Sequence, residues 1–244
     1  ARASQIAAGL LSLDISPGDH VALSCPNVPW FLMAYFGILK AGAVVVPLNV
    51  LLKPREIAFH LRDCHAKALI AFEGTPELPM AQMARAACDE VAGVHLIVMT
   101  RDPAASSPVA PALTLGQVMH AQPPAFEMRP RRPDDTAVIL YTSGTTGAPK
   151  GAELTHGNLY ANAKVCIDTL FAMDENDVLL GALPLFHSFG QTVIQNGAFA
   201  FGGTVVMLPR FEAGPALALM GREEVTFFAG VPTMYWGLLG ALDE

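Results

Sequence analysis

The segment from Tyr141 to Gly151 concentrates groups that suit the binding of a polyphosphate. It reads Tyr-Thr-Ser-Gly-Thr-Thr-Gly-Ala-Pro-Lys-Gly. The groups of interest are four hydroxyls (Thr142, Ser143, Thr145, Thr146), one cation (Lys150) and three glycines (Gly144, Gly147, Gly151). Glycines let a backbone turn and approach a ligand closely. Backbone N–H groups, hydroxyls and an ammonium together suit a chain of phosphates. The segment therefore predicts a phosphate-binding loop, in preference to a Ser/Thr/Gly-rich surface loop.

This loop follows neither of two common nucleotide-binding patterns. A Walker A motif has four residues between a glycine and Gly-Lys-Ser/Thr, whereas Lys150 here follows Pro149 and precedes Gly151. The glycine spacing does not match GxGxxG either. Neither a dinucleotide-binding fold nor a kinase lid is therefore indicated.

Alternating strands and helices are predicted to position the loop. Strand patterns occur at 20–24, 43–46, 67–72, 94–99, 137–141, 178–183, 204–208 and 225–228. Helical patterns between them occur at 30–40, 54–64, 81–91, 155–171, 192–201, 215–221 and 232–239. We expect Asn27 to cap the helix at 30–40. Such alternation predicts βαβ units and hence an α/β fold with mainly parallel sheets.

A proline-rich segment, residues 101–135, interrupts the alternation. It suggests a surface connection with one helical turn near residues 115–120. We therefore predict two α/β lobes. The first is residues 1–128, with the proline-rich connection from about residue 101, and the second is residues 129–244, which carry the loop at 141–151.

Composition limits the classes of function. The chain of 244 residues is 52% hydrophobic and 15% charged, with a formal net charge of −7. An acidic balance argues against a nucleic-acid partner, which requires a basic face. The four cysteines, Cys25, Cys64, Cys88 and Cys166, form no CxxC pair and indicate a reduced, cytoplasmic protein. The longest apolar stretch is interrupted, so no transmembrane segment is expected, while peripheral membrane contact and the oligomeric state stay open.

The loop at 141–151 resembles the signature phosphate loop of the adenylate-forming superfamily, which includes acyl-CoA synthetases, coumarate-CoA ligases, luciferases and the adenylation domains of peptide synthetases. Three further segments are similar to motifs of that superfamily: 40–49, 183–190 and 229–233. The resemblance implies the N-terminal part of the large domain of such an enzyme. It also implies ATP, Mg²⁺ and coenzyme A as cofactor and co-substrates, with a carboxylic acid, expected to be a fatty acid, as the group that is activated.

The resemblance also implies a role for particular residues. The β- and γ-phosphates would be held by Thr142, Ser143, Gly144, Thr145, Thr146, Gly147 and Lys150. Thr145 would carry the hydroxyl on the magnesium side, and Thr145, Lys150 and His187 would serve the chemistry. His187 would lie between the acyl carboxylate and the nucleotide, where the alternative is a hydrogen-bonded core histidine. Arg210 would contact a phosphate of coenzyme A, and a solvated charge at a strand end explains it equally well.

Two other functions compete with an acyl-CoA synthetase. Amino-acid adenylation domains usually have an aspartate shortly after the equivalent of His187, and no acidic residue lies between His187 and Arg210. A non-catalytic module that binds a nucleotide or an acyl group is the rival outside the enzyme class. Gln191 stands near a position where some long-chain enzymes have a tryptophan, so the chain length of the acid stays open.

Several motifs of the superfamily do not occur in this sequence. They are the Tyr-Gly-x-Thr-Glu motif, the ribose-binding aspartate and the small C-terminal domain with its lysine. We therefore expect the 244 residues to be an incomplete part of the enzyme that does not catalyse adenylation alone.

Overall fold

A run of buried apolar residues builds each main strand of the sheet that carries the loop. The computed structural model describes residues 1–142 and 147–242. The chain divides into two units. The first comprises Ala1–Cys25 and Trp30–His156, and the second comprises Pro26–Pro29 and the residues from Gly157 onward. Each unit is described by itself below.

The first unit contains a seven-stranded sheet in the order β5-β4-β3-β1-β2-β6-β7. Its strands are β1 (His20–Ser24), β2 (Val44–Pro47), β3 (Ala68–Phe72), β4 (His95–Met99), β5 (Leu113–Thr114), β6 (Thr136–Thr142) and β7 (Lys150–Thr155). Its helices are α1 (Arg2–Ser12), α2 (Pro29–Lys40), α3 (Pro54–Asp63), α4 (Met80–Asp89) and α5 (Leu115–Met119). Neighbouring strands are parallel except β7, which is antiparallel to β6.

Helices bury both faces of this sheet, which explains why the central strands lack a polar–apolar alternation. Alternate residues of β1 to β4, together with helices α3 and α4, form one apolar cluster. Helix α1 packs closely on α2 and α5. A Cβ at Gly37 would lie 2.6 Å from Ile6 Cγ2, and one at Gly9 would lie 2.5 Å from Val118 Cγ1. These two glycines therefore allow the helices to approach each other.

The second unit is built on a three-stranded parallel sheet in the order β10-β8-β9. Its strands are β8 (Val178–Gly181), β9 (Thr204–Met207) and β10 (Phe227–Phe228), and its α-helices are α6 (His156–Val165), α7 (Ala198–Phe201), α8 (Ala213–Arg222) and α9 (Pro232–Leu242). Cys166–Phe171 and Gly190–Gly197 are π-helical. Leu180, Ala216 and Leu238 form the centre of an apolar cluster between the sheet and helices α8 and α9.

The predicted α/β fold with mainly parallel sheets is confirmed, and several details differ. Strand β7 was not predicted, and the predicted helices at 155–171 and 192–201 each contain a π-helical segment. The first unit extends to His156, whereas the sequence placed the boundary between the two lobes at residues 128 and 129. The first unit extends further because β6 pairs with β2 and thereby belongs to the first sheet. The predicted helical turn near residues 115–120 is present as α5, which Thr114 caps.

Candidate active site

The predicted phosphate loop connects the two strands of a β-hairpin. Strand β6 ends at Thr142 and β7 begins at Lys150, and these two residues lie directly opposite each other. Both are exposed. Ser143, Gly144, Thr145 and Thr146 lie outside the described residues. The hairpin therefore places a hydroxyl and an ammonium side by side at the two ends of the loop.

The backbone conformation at position 147 favours glycine. Its φ of 92° lies in the left-handed region that favours glycine. A Cβ at this position would have no atom within 4 Å, so the constraint is conformational and not one of space. The Thr142 hydroxyl and the Lys150 ammonium are both exposed, and groups of these two kinds fit a phosphate chain.

In the second unit, two predicted site residues come to one edge of the sheet. The loop that contains His187 follows β8, and the loop that contains Arg210 follows β9. Because β8 and β9 are parallel neighbours, their carboxyl ends lie at the same edge. Ligands of open α/β sheets bind at this edge. The second unit thus has a candidate ligand edge of its own.

Asn27 holds the start of the His187 loop. Its Nδ2 donates to the carbonyl oxygens of Gly181 and Leu183, both at 2.8 Å, and its Oδ1 accepts from Leu185 N–H at 3.0 Å. Asn27 is 4% exposed. The sequence assigned this side chain to capping a helix, and its bonds to residues 181–185 were missed. No local signal indicates partners more than 150 positions away.

The loop around His187 closes on Gly190. The His187 N–H donates to the Pro184 carbonyl oxygen at 3.1 Å, and the His187 carbonyl accepts from Gln191 N–H at 3.0 Å. A Cβ at Gly190 would lie 2.3 Å from the Pro184 oxygen, so only glycine fits there without movement. The His187 side chain is exposed, which is against a core histidine. The π-helix Gly190–Gly197 begins immediately afterwards, and such segments often occur at functional sites.

Arg210 is an exposed residue between β9 and α8. Its Nε lies 3.6 Å from Glu212 Oε1, and both side chains are more than half exposed. An exposed ion pair of this kind contributes little to stability. The guanidinium is therefore accessible to an anionic ligand.

The three buried cysteines do not act as nucleophiles at neutral pH. Cys25, Cys64 and Cys88 are buried, and Cys166 is partly exposed. Burial raises the pKa of the Cys25 thiol well above its ordinary value and raises the pKa of Cys64 and of Cys88 to about 11. The thiolate is the reactive form, so these three thiols are inert.

Comparison with known proteins assigns the chain to a family. A family model described as "AMP-binding enzyme" matches residues 1–244. The chain belongs to this AMP-binding enzyme family. It is 31% identical, over 97% of its length, to a long-chain-fatty-acid–CoA ligase of Bacillus subtilis. It is 37% identical, over 96% of its length, to a feruloyl-CoA synthase of Amycolatopsis. It covers 45% and 43% of these proteins, so it spans less than half the length of the curated relatives it matches.

A solved CoA ligase has a similar fold in the matching part. The anthranilate CoA ligase AuaEII, in complex with anthranoyl-AMP, superposes with a TM-score of 0.85 at 27% identity. The match covers 96% of this chain and 44% of that one. Membership and fold agree with the resemblance that the loop at 141–151 suggested.

The structure thus divides the predicted site residues of this AMP-binding chain between its units. Thr142, Gly147 and Lys150 belong to the first unit, where Thr142 lies opposite Lys150, and the loops with His187 and Arg210 lie at one sheet edge in the second. Within the described part of the chain, no three His, Cys, Asp or Glu side chains are close enough to hold a metal ion. Among residues 1–142 and 147–242, no helix is long and apolar enough to span a bilayer.

Proposed function

We propose that the protein uses ATP to activate a carboxylic acid, chiefly a fatty acid, and transfers the acyl group to coenzyme A. In the first step a carboxylate oxygen attacks the α-phosphorus, an acyl-adenylate forms and pyrophosphate leaves. In the second step the thiol of coenzyme A gives up its proton to solvent and its sulfur attacks the acyl carbon. The carbon–oxygen bond to AMP then breaks, so the thioester forms and AMP leaves. The observation that carries the proposal is the hairpin that sets Thr142 opposite Lys150, with Gly147 between them in the chain.

The hairpin supplies what the first step needs from the protein. An anionic carboxylate must approach a polyanion, so the phosphates require donors that are already in place. The Lys150 ammonium and the Thr142 hydroxyl are exposed at the loop's two ends, where they would hold the β- and γ-phosphates and the departing pyrophosphate. By resemblance, Ser143, Gly144, Thr145 and Thr146 complete this set.

The proposed reaction includes magnesium as a partner of the phosphates. When bound, it would supply positive charge that neutralises the departing pyrophosphate. By resemblance, the Thr145 hydroxyl would be a partner of the ion.

His187 and Arg210 are proposed to serve the acyl group and coenzyme A. The exposed His187 side chain stands on a loop that Asn27 and Gly190 fix, which suits a residue that must orient a carboxylate. Arg210, with its exposed guanidinium, would pair with a phosphate of coenzyme A. Two relatives act on different acids, as their names state: a long-chain fatty acid in one and ferulate in the other.

A reducing, cytoplasmic location is part of the same proposal. All four cysteines are free thiols, which suits a reducing compartment.

Pyrophosphate exchange on the full-length protein tests the proposal. The panel contains straight-chain fatty acids, aryl acids and amino acids, and fatty acids are expected to drive the fastest ATP–pyrophosphate exchange. Thr145→Ala is expected to lower exchange about a hundredfold, which is the effect of losing one preorganised donor. If only amino acids supported exchange, the proposed substrate would be contradicted. If none of the acids in the panel supported exchange, the proposed activity would be contradicted.

Two lysine variants make a matched pair. Lys150→Ala is expected to raise the KM for ATP, because a phosphate partner is lost. Lys164→Ala removes the same charge from helix α6, where the lysine pairs with Asp168 and both are exposed, and is expected to leave KM unchanged. Equal effects of the two variants would remove Lys150 from the site.

A further inference from the structure

Tyr141, next to the end of β6, is held by groups of the first unit that lie outside the loop. Its phenol O–H donates to Asp63 Oδ2 at 2.5 Å. The ring of His60 stands edge-on to it, with 4.3 Å between ring centroids and an interplanar angle of 75°. Gly151 lies opposite on β7, and a Cβ there would be 3.4 Å from Tyr141 Cζ. The phenol ring therefore lies across a glycine that leaves room for it.

Helix α3, which carries both partners, is itself firmly fixed at its start. Lys53 N–H donates to the Glu56 carboxylate at 2.7 Å. His60 Nδ1 lies 2.6 Å from the Glu56 carbonyl oxygen, and because a carbonyl only accepts, Nδ1 is the donor. His60 is 5% exposed, so its ring is buried and does not lie on a solvated face of the helix. The helix thus presents His60 and Asp63 to Tyr141 in a defined geometry.

Tyr141 transmits this geometry to the ends of the phosphate loop. It directly precedes Thr142, which lies opposite Lys150. Burial, followed by the hydrogen bond to Asp63, raises the pKa of the Tyr141 phenol far above its ordinary value, so the phenol stays protonated and remains a donor at neutral pH. A shift of the Tyr141 side chain would move the strand end and change the spacing of the two phosphate partners.

We propose that Asp63 and His60 are positioning residues for the phosphate loop and act on it through Tyr141. Neither residue needs to touch the nucleotide for this role. The assignment of the loop to ATP rests on the proposed function, whereas the contacts among the three side chains do not.

Three variants of the full-length protein test this role. Tyr141→Phe removes the donor and keeps the ring, and Asp63→Ala removes the acceptor. Each is expected to raise the KM for ATP in pyrophosphate exchange about fivefold, the effect of one charge-assisted hydrogen bond discounted for the exposure of Asp63. Asp63→Asn keeps an acceptor oxygen and is expected to restore most of the affinity. The KM for the acid is expected to stay unchanged in all three.

The same hairpin offers a matched control at its other end. Thr136 Oγ1 donates to Glu153 Oε2 at 2.6 Å, far along the strands from the loop. Thr136→Val removes a hydroxyl–carboxylate bond of the same kind and is expected to leave the KM for ATP unchanged. An equal effect of Thr136→Val and Tyr141→Phe, or a parallel rise in the KM for ATP and acid, would overturn the positioning role.

Amide hydrogen exchange separates this inference from the proposed function. In Tyr141→Phe, amides at residues 140–142 and 150–152 are expected to exchange faster than in wild type, and in Thr136→Val they are not. This measurement needs no substrate. A wild-type protein that catalyses no ATP–pyrophosphate exchange would refute the proposed function, whereas the amide exchange rates would still decide whether Tyr141 holds the strand end. Unchanged rates in Tyr141→Phe would show that the phenol does not hold the strand end.

Discussion

Replacing Asn27 by alanine is expected to destabilise the second unit strongly. The substitution removes three buried hydrogen bonds, with Gly181, Leu183 and Leu185, at 2.8, 2.8 and 3.0 Å. Each is worth about 1 kcal/mol net, so the loss is about 3 kcal/mol. In a chain of this size, 1 kcal/mol shifts the melting temperature by roughly 2–4 °C. We therefore expect the melting temperature to fall by about 6–12 °C.

Thermal unfolding of residues 1–244, followed by far-ultraviolet circular dichroism, measures this shift. Asn49→Ala is the matched control, because Asn49 is exposed and accepts one local bond from Leu51 N–H. It is expected to change the melting temperature by less than about 2 °C. Asn27→Asp is expected to be at least as harmful as Asn27→Ala, because a carboxylate would face two carbonyl oxygens without an N–H to donate. A melting temperature for Asn27→Ala equal to that of Asn49→Ala would refute the assignment of three stabilising bonds.

Three other measurements address the candidate site and the buried thiols. Gly190→Ala is expected to lower the free energy of unfolding by about 2 kcal/mol, because the new Cβ would meet the Pro184 carbonyl at 2.3 Å. The same change at Gly221, where no atom lies within 4 Å, is expected to cost nothing in urea unfolding, and equal costs would contradict the steric argument. Arg210→Ala is expected to raise the KM for coenzyme A in thioester formation about tenfold, as for a lost Arg–phosphate contact. It should leave pyrophosphate exchange unaltered, and loss in both steps would indicate a folding defect. Iodoacetamide at pH 8 is expected to label Cys166 first, since raised pKa values keep the three buried thiols protonated. Early labelling of any buried cysteine, detected by peptide mass, would argue against that burial.

Local sequence patterns predicted most helices and strands of this fold. The features that they missed, such as strand β7, depend on pairing between strands. The strand at Ala68–Phe72 is a continuous apolar run, which is typical of a strand buried on both faces. Strand β7, in contrast, has four exposed residues and no alternation, and it is a strand because it pairs with β6. The pairing of Val45 with Val138 joins segments that lie far apart in sequence, and this pairing places β6 in the first unit.

Helix periodicity also misplaced some side chains. The spacing within 155–171 predicts that Leu159, Ala163, Ile167 and Leu170 fall on one face of an α-helix. Ala163 and Ile167 are buried, but Leu170 is 65% exposed. Leu170 lies in the π-helix Cys166–Phe171, whose i→i+5 hydrogen bonds give a different rotation per residue from that of an α-helix. Spacing alone assumes a constant helix type; within the π-helix Ile167 still follows it, and Leu170 does not.

The candidate site was predictable where a motif carried it. The loop and the residues His187 and Arg210 were chosen from motifs in the sequence, and the fold brings the last two to one sheet edge. The residues that support the site were not predicted as such. Asp63, His60 and Asn27 contact partners that are remote in sequence, and no spacing rule connects them.

Strand β7 ends the seven-stranded sheet, and this has a consequence for solubility. An edge strand presents backbone groups that could pair with a strand of another molecule, and charged side chains on the strand discourage this. Lys150 and Glu153 place opposite charges on β7, and both are exposed. Lys150 therefore combines a proposed contact to phosphate with protection of the sheet edge, and a neutral residue there would remove the charge that protects this edge.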